Sequence, residues 1–97
     1  MMVQQVTITA ESPVSLKPLV EGAIRGEMEL LLAGINRTRE RLAAFERQFA
    51  MSSAEFEQRF DRIKIKETVE FIDWWCESEL LKLLESRYKT LETAEIR

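Results

Sequence analysis

The sequence predicts an all-α protein: a long antiparallel helical hairpin with a short helix at its corner, a short amino-terminal arm, and dimerisation into a four-helix arrangement. Three observations carry this. Apolar residues recur with helical periodicity over two long segments, only three glycines and two prolines interrupt 97 residues, and 32% charged beside 45% hydrophobic residues is the balance of long charged helices rather than of disorder or a β-sandwich. A compact chain of this length forms one domain and buries only about 60 to 65% of the surface its unfolded form exposes. We divide it into an arm over 1–14 and a single helical domain over 15–97, with helices at about 15–49, 52–61 and 66–93.

The arm contains Val3-Gln4-Gln5-Val6-Thr7-Ile8-Thr9, where Val6 and Ile8 alternate with Thr7 and Thr9. It is a lone strand or a loose arm. A single strand cannot satisfy its own backbone, so if ordered it pairs with a partner's edge or with its counterpart across a twofold axis, through Val6 and Ile8. Ser12-Pro13 and Lys17-Pro18 punctuate the entry to the first helix, with Ser15 as N-cap and Pro18 in the first turn, where a missing N–H costs nothing.

From there to about Phe49, Leu16, Leu19, Val20, Ala23, Ile24, Leu30, Leu31, Ile35, Leu42, Phe45 and Phe49 fall within a ~160° arc at 100° per residue. Such a helix reaches roughly 50 Å and needs an equally long cover. Glu27 lies inside the apolar arc and Arg41 close to the same line, so they either pair across a helix interface and fix register or sit at its rim. Gly22, Gly26 and Gly34 cost about 1 kcal/mol each relative to alanine and point to close helix approach or a bend.

Ala50-Met51-Ser52-Ser53 breaks the pattern, and Ser52 followed by Glu55 has capping-box spacing. The short helix that follows sets Phe56 and Phe60 on one side, with Phe49 and Met51 near enough to form an apolar corner. Residues 61–66, in which Ile63 and Ile65 alternate with Arg62, Lys64 and Lys66, read as a connection. In the last helix, Val69, Ile72, Cys76, Leu80, Leu83, Leu84, Tyr88 and Leu91 form the main stripe. Glu67, Glu70, Asp73 and Glu77 suit its positive amino end, and Lys82, Arg87 and Lys89 the other end.

This offers more apolar surface than one seam can use. Phe71, Trp74 and Trp75 lie about 100 to 140° from the centre of the main stripe, with Leu81 on the Trp74 side. Left outside, these rings form a patch of several hundred Å², which predicts a homodimer interface. The alternative is that the Phe56/Phe60 helix folds over and covers them within one chain.

Catalytic chemistry is poorly served. The chain has no histidine and no nucleophile-elbow or phosphate-loop signature, so we expect no enzyme and no cofactor. One cysteine and no histidine exclude an intrachain disulfide and a structural zinc site. Glu70, Asp73 and Glu77 share spacings of three and four and could in principle hold a hard cation, but a solvated acidic face is the expectation. Cys76, inside the main stripe, is expected to be a buried, inert thiol. The opening residues do not read as a signal peptide, and no apolar run approaches the roughly 20 residues of a membrane span, so a cytoplasmic protein is expected.

Net charge is −3, unevenly spread: residues 1–36 carry two basic and four acidic groups, 37–66 eight and five, and 67–97 four and eight. The basic middle, Arg37, Arg39, Arg41, Arg47, Arg59, Arg62, Lys64 and Lys66, supports an alternative as a DNA-associated regulator. Interleaved Glu40, Glu46, Glu55, Glu57 and Asp61 largely neutralise it, and no helix-turn-helix is evident.

The segments RTRERLAAFERQFAMSSAEFEQRF and KETVEFIDWWCESELLKLL carry an F-E-x-x-x-x-M-S-S-x-E-F corner and an F-I-x-W-W core. Through Phe45, Glu46, Met51, Ser52, Ser53, Glu55, Phe56, Phe71, Ile72, Trp74 and Trp75, the chain resembles a group of short prokaryotic helical proteins over roughly residues 16–96. The resemblance implies a helical hairpin and the antitoxin-like half of a toxin–antitoxin pair, whose partner is a small toxin. It transfers no active site.

Overall fold

A computed structural model describes residues 2–61 and 68–96, and these form three helices in the order α1 (Leu16–Phe49), α2 (Ser53–Asp61) and α3 (Val69–Glu92). The long helix α1 packs against α3 as a hairpin, with α2 laid across the corner. Arg41 donates to Glu77 at 3.0 Å and Arg39 to Glu85 at 2.9 Å, so residue numbers fall on one helix as they rise on the other. Of the predicted connection 61–66, residues 62–66 lie outside the described residues, with the start at Lys66 and the side chains of Ile63 and Ile65, while Asp61 closes α2.

Each helix end has a local cause. Residues 2–15 are exposed and form no strand, leaving the arm as irregular chain that hands over to α1 at Ser15. Ser15 has the extended backbone of an N-cap, although its side chain makes no capping bond. α1 ends where Ala50 turns left-handed at φ 50° and the Met51 N–H reaches back to the Glu46 carbonyl at 3.2 Å. α2 starts at once, because Ser52 Oγ accepts from the Glu55 N–H at 3.1 Å and Glu46 Oε2 accepts from the Ser53 N–H at 2.7 Å. That is half of the expected capping box, with a carboxylate from α1 supplying the second acceptor while Glu55 pairs with Arg59. Thr68 caps α3 by accepting from the Phe71 N–H at 3.2 Å.

The seam on α1 is made by Leu31, Ile35, Thr38, Leu42, Phe45 and Phe49, spaced by fours and threes as in helices that wind gently around each other. On α3 it is made by Phe71, Trp74, Ser78, Leu81, Leu84, Tyr88 and Leu91. This corrects the predicted main stripe of the last helix: Val69, Ile72, Cys76, Leu80 and Leu83 are exposed, and only Leu84, Tyr88 and Leu91 of that stripe face inward. α3 is apolar on two sides. The side bearing Phe71 and Trp74 offers more area to bury, so it wins the seam at the corner.

The hairpin is slender, with extents of 60 × 26 × 19 Å and a radius of gyration of 18.7 Å, against about 12.5 Å for a compact chain of this length. Gly34 faces Leu84, where an added Cβ would stand 3.3 Å from Leu84 Cδ1, so this glycine permits close approach as predicted. Gly22 and Gly26 have open space beside them. From the Gly34–Leu84 contact, equal rise along both helices brings Glu92 level with about residue 26, so roughly the first ten residues of α1 run on past α3. No described helix is long and apolar enough to cross a membrane.

Candidate interaction surface

The corner absorbs most of the aromatic residues. Trp74 is fully buried, with its ring stacked on Phe56 at 4.0 Å and 2° between planes, and on Phe45 and Phe49 at 5.6 and 5.7 Å. Its indole N–H donates to Ser53 Oγ at 2.9 Å, so the one polar atom of the ring is satisfied inside the core. Phe71 packs on Phe49 and Phe56, and Leu81 lies against the same cluster.

These positions correct the expected interface. Phe71, Trp74 and Leu81 belong to the core of a single chain, because α2 folds over the corner and its Phe56 covers the indole. Of the aromatic patch only Trp75 keeps exposure, at 36%, with Phe60 stacked beside it at 6.1 Å. Val6 and Ile8 are exposed, along with Val3 in the same arm.

The surplus apolar surface lies elsewhere. One stripe runs along the outer side of α3 through Val69 (75% exposed), Ile72, Cys76, Leu80 and Leu83. A second set lies on α1, where Leu19 and Leu30 are 60% and 71% exposed. Between the helices an open groove of about 500 Å³ is lined by Arg41, Ala44, Phe45 and Gln48 of α1 and by Asp73, Cys76 and Glu77 of α3. Whole-chain area agrees: 7970 Å² is exposed, whereas a compact monomer of 11.4 kDa exposes about 5,800 Å².

Of the five basic candidates among the described residues, three are in intrachain pairs. Arg39, Arg41 and Arg59 are held by Glu85, Glu77 and Glu55. Arg41 thus pairs across the helices from an exposed rim position, and Glu27 is exposed as well. On a 100° wheel Arg37, Arg41 and Arg47 fall within a ~120° arc of α1, and Arg39 points away from it. Arg62, Lys64 and Lys66 lie outside the described residues. Lys82 bridges Glu57 of α2 and Glu79 at 3.0 and 3.3 Å, and the Glu57 hydrogen bond, then that of Glu79, raises its pKa above the ordinary 10.5. Among the described residues no group of three or more acidic or cysteine side chains could hold a metal ion, and the exposed Cys76 is not the buried thiol expected.

No protein-family model, curated protein or solved structure matches the chain.

Three participants escaped the sequence reading. Thr38 and Ser78 are buried in the seam, where their small polar side chains gave no periodic signal. Glu46 reaches seven residues forward to cap α2, a role only its closeness to the Ala50 turn could have disclosed.

Proposed function

We propose that this chain is a non-catalytic, cytoplasmic protein-interaction module that forms a homodimer and masks a small protein partner, as an antitoxin does its toxin. One observation carries the reading: the chain, its extended arm included, exposes roughly 2,000 Å² more than a compact monomer of its mass, and large apolar side chains stand on that surface. The amino-terminal stretch of α1, with Leu19 exposed beyond the end of α3, and the arm with Val6 and Ile8 supply the partner-facing surface. The arm is free of regular structure, so it can pair with a partner's sheet edge through its own backbone.

The test is copurification of the tagged chain from its native host with identification of the bound protein. Ile8→Lys and Leu19→Lys together should abolish capture while leaving helical circular dichroism unchanged. Undiminished capture by that variant would refute the assignment of the surface. The DNA-associated alternative gains nothing from the arginines that are held by carboxylates. A salt-sensitive shift of the chain's own upstream DNA at ~50 mM salt is the result that would restore it.

A further inference from the structure

We propose that two copies of this chain pair through the outer side of α3, antiparallel, about a twofold axis at Cys76. This deepens the interaction reading above by assigning the self-contact to a surface distinct from the partner-facing one. The exposed residues Val69, Ile72, Cys76, Leu80 and Leu83 are separated by three, four, four and three positions. The order reads the same in both directions. Reversing a second helix about Cys76 therefore lays Val69 against Leu83 of the second copy, Ile72 against Leu80, and Cys76 against itself, which is the self-complementarity an isologous interface requires.

Charge selects the direction. Antiparallel pairing opposes the two helix dipoles and brings Glu70 level with Lys82 of the second copy, while Asp73 comes level with Glu79, which its own Lys82 holds. Parallel pairing would stack Glu70, Asp73 and Glu79 on their own copies. Near the axis, Glu77 pairs with Arg41, and Glu79 shares Lys82 with Glu57, so part of the acidic charge flanking the stripe is offset before the copies meet.

Area sets the strength. The exposed fractions of Val69, Ile72, Leu80 and Leu83 leave roughly 400 Å² of apolar surface per copy. A pair thus covers roughly 800 Å² of apolar surface before any rim, below the standard ~1,200–2,000 Å² class, so the pairing is weak and reversible. Facing helices whose axes stand about 9 to 10 Å apart bring on-axis Cα atoms to roughly 4.4 to 5.4 Å, within reach of a disulfide.

Two measurements on the full chain test this. Sedimentation equilibrium up to roughly 100 µM should show a monomer–dimer equilibrium with a micromolar constant. Ile72→Lys with Leu80→Lys sets four ammonium groups around the axis and should weaken association by at least about 30-fold, with helical dichroism retained. Diamide, which takes up the two protons and two electrons lost by the thiols, should link Cys76 to its copy at least about tenfold faster than it links a Cys76→Ser, Arg25→Cys variant. A wild-type monomer throughout that range, equal cross-linking rates, or a dimer unchanged by the two lysines would each overturn the proposal. A monomer that still captures its protein partner removes the pairing alone. A dimer that captures none upholds the pairing and removes the masking role.

Discussion

Truncating Trp74 separates a ring that holds one chain together from a ring that waits for another. Trp74 is fully buried, touches three phenylalanine rings and donates its indole N–H to Ser53. Deleting a buried tryptophan costs about 3–5 kcal/mol. A domain of this length holds about 5–15 kcal/mol in all, and a core of five buried apolar side chains among the described residues, only Phe56 and Trp74 fully so, places it low in that range. Trp74→Ala should therefore remove about half or more of the total and lower Tm by more than ~12 °C. Urea unfolding followed by circular dichroism at equal protein concentrations reads the change directly, and the slope should hold steady if the unfolded state is unaltered. Ser53→Ala strands the indole N–H and should cost about 1–3 kcal/mol, while the Trp74→Phe, Ser53→Ala pair should cost less than the sum of its parts. A Trp74→Ala loss below ~1 kcal/mol, or one no larger than that of Trp75→Ala, would contradict the burial on which the corner depends.

Gly26→Ala meets open space within α1 and should stabilise the chain by about 0.5–1 kcal/mol, seen as a Tm increase of a few degrees. Ser78 is buried with its Oγ unpartnered among the described residues, so Ser78→Ala should be neutral to stabilising by about 1 kcal/mol in urea unfolding. Lys82 titrates above its ordinary value when folded, so its contribution is fully present below the unfolded lysine value and is lost as pH rises through the raised one. The wild-type advantage over Lys82→Met should therefore be constant at neutral pH and vanish only above 10.5; at 59% exposure it is small and weakens with added salt.

The hairpin was legible because long amphipathic periodicity survives any error in detail. α1 was read nearly to the residue, since Leu31, Ile35, Leu42, Phe45 and Phe49 repeat on one side and the Ala50 to Ser53 break carries its own turn chemistry. α3 was misread because it has two apolar sides, and a wheel of one helix cannot say which of them its neighbour takes. What decided it was distant in sequence: Phe56 stacking on Trp74 and Ser53 receiving the indole N–H, both made by a helix that precedes α3. For the same reason, the rings expected on the outside went in and the thiol expected inside came out. Ion pairs followed this rotation, which brings Glu77 and Glu85 to arginines 36 and 46 residues away.

Trp74 and the five phenylalanine rings around it sit at one end of the 60 Å long chain, while the seam toward the other end is closed mainly by aliphatic side chains with Tyr88, and finally by none. Local opening therefore grows costlier along the molecule. Amide protons near Leu16 and Glu92 should exchange within the fraying regime, those near Ile35 and Leu84 more slowly, and those flanking Trp74 only when the whole molecule unfolds. The tips of such tongs can part repeatedly while the rivet holds, and a segment entering between them meets resistance that rises with every turn of helix it passes.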